Sequence, residues 1–298
     1  MTIATSLFYD RSRDAMTALT SKADTLSTQI STDKKLQAPS DDPLSYAQLR
    51  TLTTQGADAT AYAGNLKIAG ATLSSADTTL SSITAQITQA QTLATQASNG
   101  TLSADDRKAI GEQLAGIVQT LASLAGTKDQ SGHPLFGDTS GNAAVTQNPD
   151  GSYAFASGTS PAIPIGDGQS VQGSVTASQI FSLPGGTNTL KVIGDLAATL
   201  QSGADPGTAA SDAIDTLQAA GSQVDAAQAS VGARAARVEL EQSTQTSAAT
   251  TRETLRSGLE DTDVTAAITE LQKTMTTLQA TQASFTKLSS LSLFDYLK

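Results

Sequence analysis

Apolar residues recur every three or four positions along most of the chain. Counting from Leu52, each seventh residue is Leu52, Ala59, Leu66, Leu73, Leu80, Ile87 and Ala94, with no polar interruption. A stripe of that length predicts a long helix packed in coiled-coil fashion. Its companion column reads Leu49, Gly56, Ala63, Gly70 and Asp77, mostly small, which would admit a neighbouring helix closely at some cost in helix propensity. The start is predicted at Ala38-Pro39-Ser40-Asp41-Asp42-Pro43, where a capping carboxylate precedes a proline at the first helical position, and the stop at Asn99-Gly100.

A second helix is predicted from the cap Ser103, with Asp105 and Asp106 in its first turn, through Ile110, Leu114, Ile117, Leu121 and Leu124 to Gly126. The short connection implies an antiparallel return along the first helix. Helical spacing resumes over 190–200 and again over 208–257, where Ala210, Ile214, Leu217, Gly221, Val224, Gln228, Val231, Ala235, Val238, Gln242, Gln245 and Ala249 keep the step, and Ser257-Gly258 is read as the stop. Both ends carry shorter stripes: Met16, Leu19, Ala23, Leu26 and Ile30, and Val264, Ile268, Leu271, Met275, Leu278 and Phe285.

Between 127 and 189 the helical code stops. Ten of the 23 glycines and five of the eight prolines fall there. Asn148-Pro149-Asp150-Gly151 and Asp167-Gly168 are turn signals flanked by Tyr153, Phe155, Ile163, Ile165, Val171 and Val175, which predicts a small β-rich module. The predicted fold is mainly α, an elongated antiparallel helical bundle or coiled coil with that module inserted. Its predicted parts are an N-terminal assembly helix (1–33), a helical rod in two halves (34–126 and 190–258) around the β-rich module (127–189), and a C-terminal assembly helix (259–298).

Composition sharpens this picture. Leu, Ile, Val and Phe number 58 of 298 residues, and Trp is absent, so a compact enzyme with a thick aromatic core is disfavoured. A net charge of -10 disfavours nonspecific attraction to nucleic acid or anionic lipid. Without cysteine there is no disulfide, thiolate metal site or Cys nucleophile. No apolar run approaches a membrane span, and the first residues lack the apolar region of a cleaved signal peptide, so export would use another route.

Candidate chemistry is sparse. The single histidine, His133, lies in a Gly-Pro loop and reads as solvated. Asp41 and Asp42 could be a carboxylate pair for acid/base work, but their place before Pro43 favours capping. Asp138, Asp150 and Asp167 sit in glycine-rich turns without the spacing of a calcium loop. No catalytic, cofactor or metal site is predicted.

Leu26-Ser27-Thr28-Gln29-Ile30-Ser31-Thr32-Asp33-Lys34-Lys35-Leu36, followed by Ala38-Pro39-Ser40-Asp41-Asp42-Pro43, resembles the N-terminal signature of bacterial flagellins and flagellar hook-associated proteins. Val231-Gly232-Ala233-Arg234 and Leu259-Glu260-Asp261-Thr262-Asp263-Val264 resemble the paired C-terminal signature. Ser98-Asn99-Gly100-Thr101-Leu102-Ser103, Leu135-Phe136-Gly137 and the ending Leu291-Ser292-Leu293-Phe294-Asp295-Tyr296-Leu297 are similar to the hook-filament junction branch of that family. The loop departs from the family's usual Asn-Pro at Ala38-Pro39, and the middle module matches nothing in the family pattern.

The resemblance implies a secreted structural subunit of the bacterial flagellum, exported unfolded through the flagellar type III apparatus with a chaperone holding its C-terminal segment. Implied partners are a neighbouring hook-associated protein, flagellin and further copies in a helical lattice, with no nucleic acid and no membrane insertion. The terminal stripes need a cover, and short isolated helices are marginal in water. They are therefore expected to order on assembly, through a subunit interface of Leu7, Met16, Leu19, Leu26, Ile30, Val264, Ile268, Leu271, Met275, Leu278, Phe285, Leu288, Phe294 and Leu297. Alternative readings are a flagellin filament subunit, or a surface adhesin or glycan-binding protein using the β module.

Overall fold

The computed structural model describes residues 2–296, with side chains described for Leu7 and for 9–287. Among the described residues there are seven helices and two two-stranded antiparallel sheets. In chain order they are α1 (Thr2–Thr32), α2 (Pro43–Ala97), α3 (Ala104–Ala125), β1 (Val145–Gln147), β2 (Tyr153–Phe155), β3 (Ala162–Gly166), β4 (Gln169–Gln172), α4 (Ala177–Phe181), α5 (Thr189–Gln201), α6 (Thr208–Glu260) and α7 (Val264–Tyr296). This is the helical bundle with a small β module that the periodicity predicts. The chain divides into two compact units, one of residues 1–57 with 248–298, the other of residues 58–247.

The hydrophobic core belongs to the larger unit. Along α2 the stripe is fully enclosed from Leu66 through Leu73, Leu80 and Ile87 to Ala94, each large side chain contributing about 1.5–3 kcal/mol by leaving water. The second buried column is Ala69, Ala76, Ile83, Ala90 and Ala97, three residues beyond each stripe position. This corrects the expected companion column, whose Gly70 is only half-buried and whose Asp77 is exposed. The same displacement occurs on α6. Ala210, Leu217, Val224, Val231 and Val238 are buried, but the second column is Ala213, Ala220 and Ala227, not Ile214, Gly221 and Gln228. Gln228 lies at the flank and donates to Asp77 Oδ1 at 3.0 Å and Ser81 Oγ at 3.1 Å.

The connection between α3 and α5 is tighter. A Cβ on Gly111 would lie 2.8 Å from the Ala197 carbonyl oxygen and 2.9 Å from the Gln201 amide nitrogen, so only glycine fits this antiparallel crossing. Caps define both helices: Ser103 accepts from Asp106 N and Asn188 from Lys191 N.

The β module consists of two hairpins whose turns fall where the sequence signals them. Gly151 (φ +85°) closes the β1–β2 turn and Gly168 (φ +65°) the β3–β4 turn, a backbone region open to glycine at little cost. Ile165 and Val171 are buried with the helices, and the Asn65 amide donates to the Pro164 carbonyl at 2.8 Å, so the module shares the core of its unit. The ring of Phe155 stacks on Phe181 of α4 with centroids 5.3 Å apart. Helix α4 is too short for periodicity to reveal. Gln179 accepts from the Thr176 amide at its start, and Ala177, Ile180 and Phe181 are buried.

Helix α6 also continues past its predicted stop to Glu260. Gly258 is helical with open space where a Cβ would be, and Arg256 spans this turn by pairing with both Glu253 and Glu260. Among the described residues no helix is long and apolar enough to cross a membrane.

Candidate assembly surface

The smaller unit is built around α1 and α7, which run antiparallel. Near one end the rings of Tyr9 and Phe285 meet edge to face, centroids 5.4 Å apart, and further along Lys22 pairs with Glu270. The residues buried in this unit are small or polar for the most part: Ala23 on α1, Ala267 and Thr274 on α7, with Leu36 and Glu260 beside them. Small residues take the most enclosed positions of the seam, and the larger side chains are displaced to half-buried positions along it.

That displacement decides where the predicted interface residues fall. Met16, Leu19, Leu26 and Ile30 share the face of Ala23 and are half-buried. On α7 the seam runs Val264, Ala267, Leu271, Thr274, Leu278, Thr281 and Phe285, all buried or half-buried. Ile268 and Met275, one position further round, remain 41% and 43% exposed, and Leu7 is 50% exposed. Ile268 and Met275 are seven residues apart and therefore form one column, about 10 Å long. The side chains of Leu288 and Phe294, and Leu297 altogether, lie outside the described residues.

Two exposed leucines of this unit escaped the sequence reading, Leu44 at 71% and Leu255 at 55%. Leu44 is out of register with the stripe of α2, whereas Leu255 continues the Ala213, Ala220 and Ala227 column in steps of seven. For Leu44, an apolar residue off register was the available signal.

The segments that join these helices are fastened together. Asp33 adopts a left-handed backbone (φ +57°), ending α1, and the next residues run antiparallel to the end of α6. Lys35 N donates to the Glu260 carbonyl at 2.7 Å, and Thr262 N to that of Asp33 at 2.9 Å. The buried Glu260 carboxylate accepts from Lys34 and from Arg256. Hydrogen bonds from Arg256 to Glu253 and Glu260 hold its guanidinium well above its ordinary pKa and lower that of Glu253.

Of the acidic pair before α2, Asp42 caps the helix and Asp41 closes the turn that precedes it. Asp41 Oδ2 accepts from Gln37 N and Ala38 N, both at 2.9 Å, while Asp42 accepts from Leu44 N, Ser45 N and the Ser45 hydroxyl. These bonds favour the ionised forms and lower both pKa values, opposite to what a general acid at neutral pH needs. Asp138 and Asp150 close turns onto Ser140 and Ser152, which lowers their pKa in the same way. Asp167 lies in the exposed β3–β4 turn and His133 in an exposed loop, with its amide bonded to Asp129. Among the described residues no group of three His, Cys, Asp or Glu could hold a metal ion.

Residues 3–141 match the bacterial flagellin N-terminal helical region. Over that stretch the chain is similar to flagellins. No match was found among curated protein sequences. The chain is similar in structure to a Vibrio parahaemolyticus protein described as a flagellar hook-associated protein: 21% identical, TM-score 0.68, covering 74% of this chain and all of that one. It is similar to FlgL of Xanthomonas campestris, 20% identical with TM-score 0.59, over 69% of this chain and 99% of that one. Flagellar hook associated protein-3 of Legionella pneumophila shares the fold too, at 13% identity and TM-score 0.63, over 70% and 98% of the two chains. At these identities the likeness is one of fold.

Proposed function

We propose that this flagellin-like chain is an exported structural subunit of the flagellar hook-filament junction, adapting one helical lattice to another mechanically. The observation that carries the reading is the α1·α7 pair. Its seam closes on Ala23, Ala267 and Thr274, which leaves Ile268 and Met275 as an apolar column exposed among the described residues. Contacts of one copy's column with a different surface of the next are heterologous and can continue along a lattice. The fold shared with Legionella pneumophila hook associated protein-3 supports a place at the junction. The neighbours are then a second hook-associated protein on one side and flagellin on the other, and an export chaperone covers the C-terminal segment before assembly.

Electron microscopy of flagella carrying gold-labelled protein tests the assignment. Label confined to the boundary between hook and filament is the expected result. Label along the whole filament would make the chain a flagellin, and label on the cell body would make it a surface protein.

A further inference from the structure

The larger unit carries a groove of about 540 Å³ bounded by α3, α5 and the turn between β1 and β2. Its size lies within the usual range of small-molecule sites, about 300–1,000 Å³. Val118 and Ala198 supply apolar wall, and Gln119 and Tyr153 bring polar groups to the same space. Of the two aromatics flagged in the β module, Phe155 is used up by stacking on Phe181, whereas half-buried Tyr153 faces this groove. A tyrosine offers both an apolar ring and a polar tip to whatever sits beside it.

Gly194, inside α5, also lines the groove. A Cβ there would meet nothing within 4 Å and its φ is not positive, so neither internal packing nor backbone geometry asks for glycine. Glycine weakens a helix relative to alanine. Its effect here is to deepen the groove.

The charged groups at the groove already have partners within the chain. Lys191 Nζ pairs with both Asp195 oxygens at 3.1 and 2.8 Å, and Asp150 Oδ1 accepts from Ser152 N and Oγ. An anionic ligand would find the Lys191 cation already paired. We propose that the groove binds a neutral saccharide, its C–H face against Tyr153 and the apolar wall and its hydroxyls bonded to the Gln119 amide. This site is separate from the assembly surface and does not rest on the junction reading.

Titration calorimetry and amide NMR of the full chain with cellobiose, lactose and N,N′-diacetylchitobiose test it. Saturable binding of at least one probe is expected, with shifts gathered at Gln119, Tyr153 and Gly194. Tyr153→Ala and Gln119→Ala should each weaken it by about tenfold or more, and Gly194→Val, which fills the groove, should abolish it. Flagellar assembly by Tyr153→Ala should be unchanged, so failure here is distinguishable from failure of the assembly reading. No saturable binding of any probe, or binding unaltered in all three variants, overturns the proposal. So does self-association of the chain that Gly194→Val alone abolishes, which would give the groove to a second copy.

Discussion

Lys34, in the segment after α1, pairs with the buried carboxylate of Glu260 at the end of α6. Arg256 bonds the same carboxylate from one turn earlier, and the backbone bonds of Lys35 and Thr262 lie beside it. Glu260 thereby joins the two connections from which α1 and α7 depart. Replacing it with alanine should raise hydrogen exchange at the Lys35 and Thr262 amides by about tenfold or more, because charge-assisted bonds are the strong ones. Amides in the core of α2, such as Leu80, should keep their protection. Hydrogen exchange read by mass spectrometry checks this, and unchanged rates at both linker amides would remove the fastening role from Glu260.

Close helix approach gives a pair of opposite effects at two glycines. Gly111→Ala puts a methyl group against backbone atoms of α5 and should destabilise the chain by about 1–3 kcal/mol. Gly232→Ala falls at a helical position with open space and should stabilise by about 0.5–1 kcal/mol. Thermal melts of the two variants should therefore move in opposite directions.

Asp42 supports α2 only while ionised. Its folded pKa lies below the ordinary 3.8 because it accepts bonds from Ser45 and Leu44. The stabilisation is complete above the unfolded value and is lost as pH falls through the lower folded one. Asp42→Asn should flatten the acid side of the stability profile below about pH 4 and leave the profile between pH 6 and 8 unchanged in shape. Urea denaturation at a series of pH values measures it.

Much of this architecture could be read from residue spacing, and the part that could not has one recurring cause. Pro43, Ser103 and Gly126 mark helix ends because capping is local chemistry. The seven-residue columns of α2, α6 and α7 are equally legible, since large apolar residues repeat there. The second column of each helix was taken to lie four residues on, at Gly70, Ile214 and Ile268. It lies three residues on, at Ala69, Ala213 and Ala267. Alanine is compatible with either a seam or a surface, so sequence alone does not choose between them, and the tertiary approach does. On α1 the three-residue step from Met16 to Leu19 was visible because both members are large. For the assembly surface, the consequence is that Leu271 and Phe285 turn toward α1 while Ile268 and Met275 do not. The groove at Gly194 has no sequence signature, because it depends on α3, α5 and a hairpin turn coming together.

Packing of the α1·α7 seam should respond to bulk. Thr274→Leu inserts a larger side chain where exposure is 3% and should cost about 1–3 kcal/mol through strain. The same chemistry at exposed Gln272 should stay within about 0.5 kcal/mol. Chemical denaturation of the two variants separates a close seam from a loose one.

The central claim is that the outward column of α7 serves assembly rather than the fold of the chain. Its most direct measurement is the double variant Ile268→Asp with Met275→Asp, read by filament attachment on the flagella of cells lacking the wild-type protein. The account predicts a monomer of wild-type melting temperature that is exported but leaves hooks without filaments. Normal filament attachment by that exported, folded variant would contradict it.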